Sequence, residues 1–353
     1  MGLVTREVTA NVVMDAEREF ISVHPSSTDV VIEVFVPDGG DFGAIVPTGA
    51  QPTIDPNAIP ASDLDALESA TRPQVIVEIQ QGGPLSGGES CGCGGATKGA
   101  AAPHEANPDG NVRTGPSVTV GPVTATPVSA DTSTALNDWL SQNGFTYPVA
   151  QQSVIDGYVG AGRWFIAFKP SGAPGGGVSV GVHYTVPEVD RGVDMKIGQL
   201  GAASTMAFTA FIVDTSSREP DDAATITLSQ LDPAVAQTSY SAAVAKAVTA
   251  ANGEAWVIEG VHGTTVVTGA LAPFVDSAAT KVTRLSTVVT PAQLTYDATF
   301  NNVGPTPDPP SSVTLFTEGA TASATPHRFG GSSALVALFG SVLFLKVGRR
   351  RAG

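Results

Sequence analysis

Short stretches of alternating apolar and polar residues recur along the chain, together with short runs rich in Val, Ile, Thr and Phe. Alternation with a period of two is typical of half-buried strands, and short apolar runs are typical of fully buried strands. The pattern predicts strands at 30–36, 42–46, 74–80, 118–128, 163–169, 178–186, 195–198, 205–213, 224–228, 255–261, 264–267 and 281–289.

Helical spacing is confined to a few short segments, 62–70, 131–142, 150–159 and 239–251. Ser62 and Asp131 are the predicted N-caps of the first two helices, and Gly144 is a predicted helix stop. Few helices among many strands predict an α+β fold that is mainly β. Its sheets are expected to be mixed or antiparallel.

The C-terminus carries the longest apolar stretch. Residues 330–347 read GGSSALVALFGSVLFLKV, in which Lys346 is the one charged residue. A helix over 329–348 would be about 30 Å long, which matches the hydrocarbon core of a bilayer. We therefore predict one transmembrane helix here. Its membrane-anchoring side chains are Leu335, Val336, Leu338, Phe339, Val342, Leu343, Phe344 and Leu345.

Three arginines directly after this segment predict its orientation. Arg349, Arg350 and Arg351 are expected to stay in the cytoplasm, because positive residues are retained on that side. The protein is then a single-pass protein of the cell membrane with its body outside. Residues 1–20 contain no apolar signal-peptide segment, so we expect the export signal to be missing from this sequence.

Composition divides the chain into segments. The predicted body has two lobes, a β-rich lobe at 1–80 and an α+β lobe at 117–300. They are separated by a loop rich in Gly, Ala and Pro at 81–116. A stalk rich in Pro, Ser and Thr at 301–328, the transmembrane helix and a basic tail at 349–353 follow.

The acidic charge balance bears on which partners the protein can bind. The chain has 18 Lys and Arg residues against 33 Asp and Glu residues, a net charge of -15. Such a body repels phosphate backbones, so nucleic acid is not an expected partner. Membrane lipid is the one partner that the sequence predicts, and it predicts no cofactor.

Cys91 and Cys93 are the only cysteines of the chain. Two thiols one residue apart can bind a soft metal or cycle as a dithiol, which makes this pair the candidate metal site. A stable zinc site needs three or four ligands, and only His104 and Glu105 lie close in sequence. The alternative is a pair of thiols in a glycine-rich loop without such a role.

One motif resembles that of serine hydrolases. Residues 177–181 match G-x-S-x-G, but the mechanism needs a sharp strand-to-helix turn at the serine. Here the sequence continues as a strand, which would place Ser179 and His183 on one strand face. The five histidines share no metal-binding spacing, and Asp190 and Asp194 are predicted to be solvated turn residues. The sequence supports no enzyme assignment.

Several blocks together resemble an uncharacterised family of exported bacterial proteins, known as domain of unknown function 2330. They lie at 16–18, 42–47, 64–73, 136–169 and 195–213, and the block at 136–169 is the most specific. The resemblance covers about residues 12–215. It implies an exported location, often with a signal peptide and a C-terminal span, and it implies no known activity or catalytic residue.

Two functional hypotheses follow. The first is a non-enzymatic envelope or surface protein with a binding or structural role. The alternative is an envelope thiol-redox or metal-binding protein that uses Cys91 and Cys93.

Overall fold

The computed structural model describes residues 2–3, 16–36, 43–80, 111–145, 151–172, 177–201, 204–301 and 307–318. All of them lie within residues 1–318, which internal contacts group into one unit.

Strands dominate these residues, because β-branched and aromatic side chains suit a pleated, half-buried surface. The strands are β1 (Gly2–Leu3), β2 (Ala16–Val23), β3 (Thr28–Val36), β4 (Ala44–Thr48), β5 (Thr53–Ile54), β6 (Ile59–Pro60), β7 (Gln74–Gln80), β8 (Val112–Thr114), β9 (Val118–Val120), β10 (Val123–Ala130), β11 (Trp164–Pro170), β12 (Val178–Val186), β13 (Gly192–Val193), β14 (Met206–Asp214), β15 (Ala224–Thr227), β16 (Ala255–Gly263), β17 (Lys281–Val289), β18 (Ala298–Thr299) and β19 (Ser312–Glu318).

The helices are short. The α-helices are α1 (Ala61–Thr71), α2 (Ser133–Gln142), α3 (Gln152–Gly160), α4 (Pro233–Ala236) and α5 (Tyr240–Ala250). The α5 helix begins where its N-cap Ser239 accepts a hydrogen bond from the Ala242 amide, at 3.2 Å. Single 3-10 turns lie at Lys196–Leu200, Leu228–Gln230, Thr264–Val266, Gly269–Phe274 and Pro291–Gln293.

Two large sheets form most of the described body, and β13–β18 and β7–β19 form two further two-stranded sheets. Sheet A has the strand order β1-β4-β11-β10-β8, and β9 also pairs with β10. Sheet B has the order β15-β16-β17-β14-β2-β3-β12-β5, and β6 also pairs with β12. Sheet B is mixed, because β14 runs parallel to β2 and β15 runs parallel to β16.

The described residues form three hydrophobic clusters, one between the two large sheets and one on the outer face of each sheet. Between the sheets, Ile166 and Phe168 of sheet A join the cluster that contains Ile32 of sheet B. The alternate side chains of the same strands point the other way and belong to the two outer clusters. Phe165 packs with residues of α2 and α3 on the far side of sheet A. On the far side of sheet B, α1 and the 3-10 turn at Gly269–Phe274 bury a third cluster.

The fold-class prediction is confirmed in its main part: the described fold is mostly β, with mixed and antiparallel sheets and a few short helices. Within the described ranges, no helix is long and apolar enough to cross a membrane. The predicted transmembrane helix at 329–348 lies outside these ranges.

Two predicted strands are wrong. Segments 195–198 and 264–267 form 3-10 turns, Lys196–Leu200 and Thr264–Val266. Local hydrogen bonds decide both cases: the Gly198 amide donates to the Met195 carbonyl at 2.9 Å, and the Val267 amide donates to the Thr264 carbonyl at 3.0 Å.

The two predicted helix caps are also corrected. The α1 helix begins at Ala61, one residue before Ser62, and its N-cap Pro60 makes no side-chain capping bond. The cap of α2 is Thr132 rather than Asp131, because the Thr132 hydroxyl accepts the Ala135 amide at 3.2 Å.

Two segments predicted without regular structure contain strands. β8 lies within the predicted loop 81–116 and pairs with β10, and β19 lies within the predicted stalk 301–328 and pairs with β7. The backbone ladder with a partner distant in sequence stabilises both strands. In β19, Leu315 is also 5% exposed and belongs to the core between the layers.

The ribbon formed by β7 and β19 is parallel. Its register places Glu318 opposite Gln80. Because parallel strands end at the same edge, Gln80 and Glu318 lie at adjacent points of the ribbon.

A β-bulge places one buried charge in sheet B. The register of β16 against β17 shifts between Ile258 and Gly260, so Glu259 is the extra residue. Glu259 is 1% exposed and forms an ion pair with Arg284, which is 6% exposed. The Tyr240 hydroxyl also donates to Glu259, at 2.7 Å, and Arg284 donates to the Glu68 carbonyl at 2.8 Å.

Removing one partner should therefore be more harmful than removing both. We expect Glu259→Ala to lower the free energy of unfolding by about 3–5 kcal/mol, because it leaves the buried Arg284 with only the more distant Glu68 carboxylate, at 3.8 Å, as a counter-charge. The double variant Glu259→Leu/Arg284→Met should lose less. Urea unfolding of both variants measures this difference.

The control is Arg113→Ala, which removes the exposed Arg113–Asp131 pair and should change stability by less than about 1 kcal/mol. Equal losses in Glu259→Ala and in the control would contradict the assignment of a buried ion pair.

Candidate functional site

The G-x-S-x-G match lies on a strand, as predicted. Ser179 is in β12 and pairs with Phe35 of β3 in a continuous ladder. No turn follows the serine, and His183 lies four residues further along the same strand, about 13 Å away at normal strand rise. Ser179 and His183 therefore do not form a nucleophile and base.

His183 takes part in a different arrangement. Its Nε2 lies 3.0 Å from Asp29 Oδ1, and its Nδ1 lies 3.5 Å from Asp55 Oδ2. The ring also stacks on Phe274, with 3.8 Å between the ring centroids. The pairing of β12 with β3 brings Thr185 opposite Asp29, and the Thr185 hydroxyl donates to Asp29 at 2.5 Å.

A second histidine extends this arrangement. His24 lies in the turn between β2 and β3, with its Nε2 at 2.8 Å from Asp29 Oδ2 and its Nδ1 at 3.1 Å from Asp276 Oδ2. Aspartates and histidines thus alternate across the surface of sheet B. We call this arrangement the His–Asp chain; its members, in order, are Asp55, His183, Asp29, His24 and Asp276.

Each ring of the His–Asp chain has one aligned hydrogen bond and one close charge contact. The aligned bonds are His183 Nε2 to Asp29 and His24 Nδ1 to Asp276. The other two nitrogens, His183 Nδ1 and His24 Nε2, are buried and face carboxylates without hydrogen-bond alignment.

The pKa values of Asp29 and Asp55 are both lowered, and His183 contributes to each shift. Burial alone would raise the pKa of Asp29, but hydrogen bonds from His183 and Thr185 outweigh it and lower that pKa. For Asp55, bonds from the Asn57 backbone and side chain and the nearby His183 outweigh burial and also lower the pKa.

Proton binding is the chemistry that this arrangement supports. An imidazole changes charge near neutral pH, and each ring here has carboxylates on both sides. In the part of the chain that the structure describes, no group of three or more His, Cys, Asp or Glu residues is placed to hold a metal ion. No signal in the sequence pointed to the His–Asp chain, because its members come from four separate stretches of the sequence.

A comparison with protein families matches residues 3–300 to the model of an uncharacterized protein conserved in bacteria (DUF2330). The chain belongs to this family. The resemblance seen in the sequence is thereby confirmed. No curated protein and no solved structure matches the chain.

The members of the His–Asp chain lie within the part of the sequence that matches the family, and so does a second polar cluster between the sheets. Here a cavity of about 20 Å3 is lined by Glu19, Tyr184, Asp190 and Asp194, among others. A cavity of this size holds about one water molecule.

Two carboxyl groups at this cavity hold their protons unusually well. Burial raises the pKa of Asp194 to about 7, although Arg163 opposes the shift. Burial and the neighbouring Glu17 raise the pKa of Glu19 well above its usual value. The prediction that Asp194 is a solvated turn residue is wrong, because its side chain is only 18% exposed and lines this cavity. It follows the short strand β13, which packs Val193 into the core.

The other site residues predicted from the sequence fall outside the described ranges. They are the candidate metal ligands Cys91 and Cys93, the membrane-anchoring residues at 335–345, and Arg349, Arg350 and Arg351.

The raised pKa of Asp194 predicts a loss of stability as pH rises. Unfolding lets Asp194 ionise near its usual pKa of 3.8, whereas the folded protein holds the proton up to about pH 7. Its contribution should therefore decline from about pH 4 to pH 7 and then stay constant, by at most about 4 kcal/mol.

The variant Asp194→Asn should lack this decline. Its unfolding free energy relative to the natural protein should therefore increase between pH 4 and pH 7, as measured by denaturant titration at each pH. Asp138→Asn, on the exposed side of α2, is the control for loss of a surface carboxylate. A difference between Asp194→Asn and the natural protein that is the same at pH 4 and pH 8 would refute the assignment.

Proposed function

We propose that this protein is a membrane-anchored bacterial envelope protein whose β-rich body stands outside the cell membrane. In this proposal the body binds a partner or has a structural role, and it is not an enzyme. The observation that carries the proposal is the apolar stretch at 330–347 followed by Arg349, Arg350 and Arg351.

The way the body ends supports this arrangement. β19 closes the described part of the chain at Glu318 and pairs with β7 in the ribbon beside the main sheets. Ten residues separate it from the predicted helix at 329, enough to span at most about 36 Å. The body would therefore stand close to the bilayer surface.

The described part of the body supports a role other than catalysis. Its one hydrolase-like motif is a strand, and its perturbed carboxyl groups line a cavity that holds about one water molecule rather than a substrate. A net charge of -15 over the chain suits a soluble body that does not bind nucleic acid.

The alternative proposal is a thiol-redox or metal-binding envelope protein that uses Cys91 and Cys93. The observation that favours it is the spacing of two thiols one residue apart. Thiol titration and metal analysis of the purified full-length protein test it. Metal-free thiols that are inert to oxidation would exclude this alternative.

Anchoring is tested by removing the C-terminus. We expect the full chain to fractionate with membranes in the bacterium that encodes it and to require detergent for extraction. A variant that ends at Glu318 should be released, because it lacks the apolar stretch. The control ends after residue 348 and lacks only the basic tail; it should remain in the membrane fraction, since it keeps the span.

Orientation is tested with single cysteines in a Cys91→Ser/Cys93→Ser background. Thr119→Cys, at an exposed position of β9, should react with a membrane-impermeant maleimide in intact cells. Ala352→Cys, in the basic tail, should react only after lysis. Labelling of Ala352→Cys alone in intact cells, or extraction of the full chain without detergent, would contradict the proposed topology.

A further inference from the structure

The His–Asp chain connects sheet B to a segment that covers it. The 269–280 segment contains the 3-10 turn Gly269–Phe274 and leads into β17. It buries Leu271 completely in the outer core, together with Phe20 of β2 and Leu64 of α1. The same segment carries Phe274, which stacks on His183, and Asp276, which pairs with His24.

The protonation state of the two imidazole rings determines whether each ring nitrogen offers a hydrogen-bond donor to the carboxylate that it faces. A neutral imidazole has one N–H donor and one lone-pair acceptor, whereas an imidazolium has two donors. In each ring the aligned hydrogen bond uses one donor, and the second nitrogen is buried against a carboxylate, at 2.8 Å for His24 and 3.5 Å for His183. With neutral rings, lone pairs face carboxylate oxygens at these two contacts; with protonated rings, N–H groups do.

The net charge of the cluster also favours protonated rings. Three aspartates face the two rings: Asp29 from β3, Asp55 from the loop after β5, and Asp276 from the segment itself. Among the described residues, no lysine or arginine forms an ion pair with any of the three. With ionised aspartates the cluster carries three negative charges when both rings are neutral and one when both are protonated.

We propose that the His–Asp chain is a pH-dependent clasp: it holds the 269–280 segment against sheet B while both imidazoles are protonated and loosens when they lose their protons. Loosening would expose the apolar residues under Leu271 in mildly alkaline conditions and cover them in mildly acidic ones. The clasp is independent of the membrane anchor, since all its members lie in the body.

The segment has a second attachment that contains no histidine. The Ala270 amide donates to Asp63 Oδ2 of α1, at 2.7 Å. Gly269, with a φ of 62°, allows this approach, because a Cβ at this position would lie 2.4 Å from the same oxygen. This contact offers a control in which the segment is loosened by a change outside the clasp.

Hydrogen exchange of the full-length protein, read by mass spectrometry in peptides over 269–280, tests the clasp. Exchange rates are corrected for the intrinsic effect of pH on amide exchange. We expect the protection of this segment to fall roughly tenfold between pH 5.5 and pH 8, consistent with the loss of charge-assisted hydrogen bonds. His24→Gln and Asp276→Asn should each remove most of this pH dependence.

Two controls separate the clasp from general loosening. Asp63→Ala should lower protection of the segment at both pH values and retain the pH dependence. His262→Gln, which removes a histidine of β16 outside the His–Asp chain, should leave the pH dependence unchanged.

Asp276→Asn alters only the covering segment, so it provides the test even if His24→Gln does not fold. Equal protection of the natural protein at pH 5.5 and pH 8 would overturn the proposal, as would undiminished pH dependence in Asp276→Asn.

Discussion

The parallel pairing of β2 with β14 is the constraint on which the rest of the structure depends. β2 lies inside sheet B between β14 and β3, and Phe20 is paired with Phe211 across the parallel seam. Both faces of β2 are buried: Ile21 points into the core between the sheets, and Phe20 points into the outer core. A strand near the start of the chain thus joins elements that are separated from it by most of the body.

The same strand organises the polar clusters. β2 carries Glu19 to the cavity between the sheets, and the turn after it carries His24 to the His–Asp chain. Buried charge is tolerated in two ways. At Arg284 and Glu259 each charge has a close counter-charge and further hydrogen bonds. At Asp194 and Glu19 burial raises the pKa, so these carboxyl groups keep their protons to a higher pH than usual, even though Arg163 lies 3.6 Å from Asp194. The two kinds of cluster therefore differ in how they bind protons: the ion pair stays charged, whereas the cavity carboxyl groups bind protons more tightly than usual.

Local pattern was enough to predict much of the fold. The apolar run of β11, the strand pattern of β12 and the helical spacing of 239–251 are properties of neighbouring residues, and the structure agrees with each of them. The two 3-10 turns were missed because a short apolar segment satisfies strand and turn patterns equally. β19 was missed because the prolines before it favour a stalk, while its stability comes from β7, which is distant in sequence.

The candidate site could not be predicted, for a related reason. Asp29, Asp55, His183 and Asp276 have no common spacing; the pairing of β3, β5 and β12 brings the first three together, and the 269–280 segment adds Asp276. Asp194 has the sequence surroundings of an exposed turn, but in the fold it lines the cavity between the sheets and its side chain is 18% exposed. Spacing rules find sites built on one element, whereas these sites are built across several.

Native-state hydrogen exchange in increasing denaturant tests the central claim most directly. If β2 is an interior strand of one sheet, amides at 16–23 and at 206–214 should lose protection together, with the same free energy of opening and the same denaturant dependence. Exchange of 16–36 at low denaturant while 206–214 stays fully protected would contradict the parallel seam and the architecture built on it.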